Sequence, residues 1–74
     1  MYLLADAQRL KDYRMAAGLS MKGLSKLAGL PDNAVLRIEN GKTKRVNHLR
    51  AKEIAKVLRC KVDDIFIIDK PKGA

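Results

Sequence analysis

The sequence has very few of the residues that carry out chemistry. Its single cysteine, Cys60, excludes an internal disulfide, and its single histidine, His48, does not complete a zinc site with one thiol. The only adjacent carboxylates, Asp63 and Asp64, fall in the first turn of a predicted helix, where they favour the helix dipole. We therefore expect no catalytic residue, no metal and no cofactor, and we predict that the protein is not an enzyme.

Aromatic residues and long apolar runs are also scarce. Tyr2, Tyr13 and Phe66 are the only aromatic side chains, so the core must be mainly aliphatic, which suits packed helices better than a sheet. These aromatics are not interleaved with basic residues, as RNA or non-specific nucleic-acid binding would favour. No run approaches the ~18 apolar residues of a membrane span, and the first residues lack the basic segment of a signal peptide. We expect a cytoplasmic protein without a membrane partner.

What the sequence does contain is positive charge. The net charge is +8, from 16 Lys and Arg against 8 Asp and Glu. The excess is concentrated in residues 37–61, where nine basic side chains face only Glu39 and Glu53. Such a segment points to a polyanionic partner. A solvated face that only keeps the protein soluble is the alternative, because net charge alone is not specific.

Apolar spacing predicts an all-α fold, a compact bundle of about five short helices. The first helix covers roughly residues 4–16 and ends before Gly18. Ser20 is expected to cap the second helix and Asn47 the fourth, because small polar side chains accept from the free amides of a first turn.

The end of the chain predicts a short fifth helix from Val62 to Phe66, and Ile67-Ile68 continue its apolar run. With 74 residues the chain has room for one modest core. We therefore expect a single domain over residues 1–69, followed by a flexible C-terminal tail at residues 70–74.

The segment from Leu19 to Gly41 carries the functional signal. It contains two short helices joined by a tight turn at Ala28-Gly29-Leu30, and Leu30-Pro31-Asp32 is expected to open the second of them. One face of that helix is apolar and packs on its neighbour, which leaves the other face free. The free face is polar and suited to base edges in a DNA major groove; it carries Asp32, Asn33, Leu36 or Arg37, and Asn40.

These residues resemble the Cro/phage-repressor-like (XRE-type) helix-turn-helix family, over roughly residues 7–66. The resemblance is carried by Leu10-x-x-x-Arg14, Gly18-Leu19-Ser20, Leu24-x-x-Leu27-Ala28-Gly29, Arg37-Ile38-Glu39-Asn40-Gly41-Lys42 and Val62-Asp63-Asp64-Ile65-Phe66. The run from Ile38 to Arg45 is especially similar to that of a lambdoid repressor. The resemblance implies a lambda-repressor-like DNA-binding domain.

The resemblance also implies roles for individual residues. It places a structural ion pair between Arg14 and Glu39. It places base-reading residues at Asp32, Asn33 and Arg37. Contacts with DNA phosphates fall at Ser20, Met21, Lys22, Asn40, Lys42, Thr43, Lys44 and Arg45, where Met21 replaces the usual Gln and Lys22 or Ser20 takes over its contact.

Each of the base-reading residues has a simpler alternative role. Asp32 either accepts from a cytosine amino group or only caps its helix, and Asn33 either pairs with adenine or is merely solvated. Arg37 either reads guanine or contacts phosphate alone.

We therefore predict a sequence-specific double-stranded DNA-binding transcription regulator that acts as a repressor, bound as a homodimer to a palindromic operator. An antitoxin that binds both DNA and a toxin partner is one alternative, and a plain helical scaffold is another. The expected dimer contact consists of Leu49, Ile65, Phe66, Ile67 and Ile68, by side-chain packing or a short paired strand. Alternatively, Phe66 and Ile68 fold back on their own core near Leu3 and Leu4.

Overall fold

The computed structural model describes residues 2–69, with side chains through Ile67. Its helices are α1 (Ala7–Ala16), α2 (Met21–Leu27), α3 (Ala34–Glu39), α4 (His48–Leu58) and α5 (Val62–Ile65). Its strands are β1 (Tyr2–Ala5), β2 (Arg45–Asn47) and β3 (Phe66–Asp69). The tail predicted at residues 70–74 lies outside the described residues.

Three of the helices are preceded by an N-cap residue whose side chain accepts from a free backbone amide of the first turn. The Ser20 hydroxyl accepts from the amide of Gly23 at 2.9 Å, and the Asn47 side chain accepts from that of Arg50 at 2.8 Å, which confirms both predicted caps. The third cap was not predicted. Asp6 accepts from the Arg9 amide at 3.1 Å, so α1 starts at Ala7, later than expected.

The prediction of an all-α fold is wrong in one respect, because the structure contains a small antiparallel sheet. Its order is β2-β1-β3, so the N-terminal strand lies in the centre. Leu3 pairs with Val46 on one side and with Ile68 on the other. Leu3 and Val46 are both buried, so the inner face of the sheet completes the core that the helices leave open.

The predicted continuation of α5 through Phe66 is also wrong. Helix α5 ends at Ile65, and Phe66 already has extended backbone dihedrals as the first residue of β3. The physical reason is pairing, since Ile67 lies opposite Leu4 and Phe66 opposite Ala5. Extended pairing satisfies the backbone of three consecutive apolar residues, which one helical turn does not bury together.

The core is aliphatic apart from one phenylalanine, as the composition predicts. It joins all five helices to the sheet, and its buried members are Leu3, Leu10, Leu24, Ala28, Val35, Ile38, Val46, Ala51, Ile54, Leu58, Ile65 and Phe66. Within residues 2–69, no helix is both long and apolar enough to cross a membrane.

Candidate nucleic-acid interface

Helices α2 and α3 are joined by a turn that depends on Gly29. This residue has φ +73°, in the left-handed region that side chains with a Cβ rarely adopt. The amide of Gly29 donates to the Lys26 carbonyl at 3.0 Å, and that of Leu30 to the Ser25 carbonyl at 2.8 Å. The turn therefore closes α2 with backbone hydrogen bonds and redirects the chain towards α3.

Ser25 of α2 holds the start of α3 from the buried side of that helix. Its side chain is fully buried on α2; the hydroxyl donates to the Met21 carbonyl at 2.9 Å and accepts from the Val35 amide at 3.0 Å. Val35 lies in the first turn of α3, where amides have no partner within the helix. Ser25 thus acts as a cap supplied by the neighbouring helix. Sequence reasoning missed it, although a serine beside Leu24 on the apolar face of α2 was the available signal.

Arg14 fixes the other end of α3. Its guanidinium donates to both carboxylate oxygens of Glu39, with Nε to Oε2 at 2.7 Å and Nη2 to Oε1 at 3.1 Å. A third bond runs from Nη1 to the Leu19 carbonyl at 2.8 Å. The hydrogen bond to Glu39 raises the pKa of Arg14, although burial opposes this. The ion pair expected from the resemblance is therefore present, and it ties α1 to α3.

With both ends held, α3 turns a polar face to solvent. Asn33, Leu36, Arg37 and Asn40 are all exposed, as is Asp32 in the preceding turn. The helix starts at Ala34, later than the expected opening at Pro31-Asp32. A capping role for Asp32 is not what the structure shows: the position before the helix is Asn33, which makes no side-chain cap, and Ser25 already serves the Val35 amide.

The start of α2 lies beside the start of α3. Lys22 Nζ and Asp32 Oδ2 are 3.9 Å apart, and both side chains are exposed. This distance brings one predicted phosphate-contacting residue next to a predicted base reader. Ser20 is used as the α2 cap, and Met21 packs against the core, so Lys22 is the exposed cation of this group.

The basic loop after α3 has a defined conformation. The Asn40 side chain accepts from the Lys42 amide at 3.0 Å, and the Thr43 amide donates to the Arg37 carbonyl at 2.9 Å. These bonds hold the loop against the end of α3 with Lys42 and Lys44 exposed. The last predicted phosphate-contacting residue, Arg45, belongs to β2 and is also exposed.

The one thiol of the chain lies apart from this surface. Cys60 is half-buried after α4; burial raises the pKa of its thiol, and the Asp64 carboxylate raises it further. Across the part of the chain that the structure describes, no three His, Cys, Asp or Glu side chains are grouped so as to hold a metal ion.

A family model described as helix-turn-helix matches residues 10–65, which include the Ser25 and Arg14 anchors and the whole exposed face of α3. The chain belongs to this helix-turn-helix family. It is a DNA-binding transcription regulator of the Cro/phage-repressor-like kind. A comparison with curated proteins found no match.

Three solved structures show the same fold. The restriction-modification controller protein C.AhdI from Aeromonas hydrophila is 31% identical, with 78% of this chain and 86% of that chain covered and a TM-score of 0.72. SinR, a master regulator for biofilm formation solved in complex with DNA, is 26% identical over 78% and 95% of the two chains, with a TM-score of 0.74. The N-terminal DNA-binding domain of SinR from Bacillus subtilis gives 26% identity, 77% and 83% coverage and a TM-score of 0.72.

Proposed function

We propose that this helix-turn-helix protein binds a palindromic DNA operator sequence-specifically as a homodimer and represses transcription there. One observation carries the proposal: α3 is held at its start by Ser25 and at its end by Arg14, while its polar face stays exposed. A helix that reads bases must keep its side chains in fixed positions relative to the base edges. The contacts with Ser25 and Arg14 hold α3 in this way from its buried side.

Three side chains are proposed to read bases. Arg37 has the forked donors that suit the two acceptors of guanine, and the Asn33 amide suits adenine. Asp32 is proposed to accept from a cytosine amino group; its neighbour Lys22 offsets the repulsion between the carboxylate and DNA phosphates.

The phosphate contacts are proposed to flank α3 on both sides. Lys22 extends from the start of α2, with the Ser20 hydroxyl and the Met21 backbone amide beside it in the first turn. Beyond the other end of α3, Asn40 and the loop supply the rest: Lys42, Thr43, Lys44 and Arg45. Each ion pair formed with DNA releases counterions, so affinity should fall steeply with salt.

The dimer contact is proposed to be smaller than the sequence predicts. Ile65 and Phe66 are buried in the core of their own domain, so they are not free to reach a partner. Leu49 and Ile67 are 74% and 62% exposed, and both remain in the proposed contact. Ile67 and the backbone of Ile68 lie on β3, an edge strand of the described sheet, which a second copy can extend by antiparallel pairing.

Repression is proposed to follow from occupancy of the DNA. A dimer with two α3 helices in successive major grooves covers about one turn of duplex. RNA polymerase is excluded from a promoter that overlaps such a site. A reporter gene placed behind the selected operator should therefore lose expression when the protein is produced.

The test begins with selection of bound sites from a random DNA pool. Affinity for the selected duplex and for random duplex is then measured by fluorescence anisotropy across a salt series. Arg37→Ala should lose roughly 5–150-fold on the selected site and much less on random DNA, because one bidentate base contact is worth about 1–3 kcal/mol. Lys11→Ala, an exposed cation on α1, is the matched control. No enrichment of a site, or equal loss on both duplexes, would contradict the assignment.

The assembly is tested separately by sedimentation with a palindromic duplex. Wild type should bind as two copies per duplex, and Ile67→Asp should lower the stoichiometry or weaken the second binding step. A charge placed on the exposed side of β3 disrupts pairing between copies while leaving the buried face intact. One wild-type copy per palindrome would overturn the dimer.

A further inference from the structure

We infer that one strand of the bound DNA runs through a groove between α3 and the β1–β2 side of the sheet, so that Arg50 and Tyr2 also contact it. This inference rests on the proposed DNA binding. It extends the interface beyond the helix-turn-helix to a strand and a helix that the sequence pattern did not implicate.

The groove has a volume of about 360 Å³. Arg37 of the reading helix and Asn33, the residue just before that helix, form one wall. The opposite wall combines Tyr2 of β1, Arg45 of β2 and Arg50 of the first turn of α4. Four elements thus converge on one cleft, and one of them, β1, is distant in the sequence from the other three.

The charge of the groove is of one sign. Among the residues that the structure describes, its lining includes three arginines and no carboxylate. Arg37, Arg45 and Arg50 come from a helix, a strand and a second helix, so their convergence is a product of the fold. Arg37 is the proposed guanine reader, whereas Arg45 and Arg50 carry forked donors that match phosphate oxygens, which makes the wall facing α3 a site for a phosphodiester chain.

The position of the groove favours a DNA strand over a free anion. Asn33 and Arg37 are proposed base readers and also wall residues, so the groove opens beside the face of α3 that enters the duplex. A sugar-phosphate backbone borders each side of a major groove. A duplex that accepts α3 therefore brings one backbone alongside this wall.

Two residues gain a role from this placement. Arg50 is exposed, and its side chain can pair with a phosphate while its backbone amide stays bonded to the Asn47 cap. Tyr2 is 54% exposed and offers a phenol donor to a phosphate and a ring face to deoxyribose. Asn47 also lines the groove, but its side-chain oxygen is already engaged as that cap.

The experiment compares Arg50→Gln with Lys52→Gln in the full chain. Both variants remove one positive charge from an exposed position on α4, but the two residues lie about 160° apart around the helix. Arg50→Gln should make the slope of log affinity against log salt shallower by about one. Between about 50 and 200 mM salt, wild type should then lose about 3.5-fold more affinity than Arg50→Gln does. Lys52→Gln should keep the wild-type slope.

A second measurement locates the contact. Single phosphates of the selected duplex are replaced one at a time by neutral methylphosphonates. One replacement should weaken wild type and Lys52→Gln but leave Arg50→Gln unchanged, because its partner is already missing. Tyr2→Phe and Tyr2→Ala are scanned in the same way, with circular dichroism to verify that the sheet is retained.

The outcomes distinguish a failure of DNA binding itself from a failure of the groove contact alone. If wild type shows no selective, salt-dependent binding, the proposed function itself fails. If wild type binds but Arg50→Gln matches Lys52→Gln in slope, or no single phosphate distinguishes them, DNA binding stands and the groove assignment is overturned.

Discussion

Replacing Ser25 with alanine should destabilise the domain more than the removal of one small hydroxyl suggests. In wild type, this fully buried hydroxyl accepts from the Val35 amide at 3.0 Å. Alanine leaves that amide without a partner in a region closed to water. The hydroxyl also donates to the Met21 carbonyl at 2.9 Å, a bond that is lost at the same time.

The magnitude follows from two opposing contributions. An unpaired buried amide costs about 1–3 kcal/mol. Alanine favours the helix over serine by about 0.5 kcal/mol, which offsets part of this cost. The free energy of unfolding should therefore fall by about 0.5–2.5 kcal/mol. For a domain of this size that lowers Tm by roughly 2–20 °C.

Urea and thermal unfolding followed by circular dichroism measure the change. Ser20→Ala is the control, because it removes an exposed cap from the same helix. Amide hydrogen exchange separates the two variants: Val35 should exchange faster in Ser25→Ala only. An unfolding free energy equal to or above that of wild type, with Val35 still protected, would refute the reasoning.

Three further predictions follow from the anchors, the turn and the thiol. Arg14→Ala should cost about 3–5 kcal/mol in unfolding experiments, because the Glu39 side chain is only 9% exposed and keeps a charge without its partner; an additional Glu39→Gln change should recover part of the loss. Gly29→Ala should lower stability by about 1–2 kcal/mol through backbone strain alone, since nothing lies within 4 Å of the added Cβ; unchanged urea midpoints would contradict this. Because the pKa of Cys60 is raised by burial and by Asp64, its alkylation near pH 8 should be slower in the folded than in the urea-unfolded chain, and stability should decline as pH rises through the thiol range, where the unfolded chain loses its proton first; equal alkylation rates in the two states would count against it.

The helical part of the fold is readable from the sequence because its signals are local. Ser20 and Asn47 lie within three residues of the amides that they cap. The pairing of Arg14 with Glu39 spans a longer distance, and it was available only through the resemblance to a family. Local capping signals and the family motif were together sufficient to predict that α3 packs with one face on its neighbour and leaves its polar face exposed.

The sheet could not be predicted in the same way. Its strands are three or four residues long, too short to show an alternating pattern that differs from the edge of a helix. Leu3 is recognisable as a strand residue only when Val46 and Ile68 are placed beside it, and both are far away in the sequence. Tertiary pairing overrides local preference here, which is also why Phe66 was assigned to a helix.

The central position of β1 has a consequence for how the protein folds. Tyr2–Ala5 pairs with β3, which lies at the other end of the described chain. Contacts of such long sequence separation form late, so a folding chain can assemble α1 to α4 while one edge of β1 is still open. An open strand edge is a template for pairing with another chain. Docking of β3 therefore does not abolish the open edge but transfers it from β1 to β3, the strand proposed above to pair with a second copy.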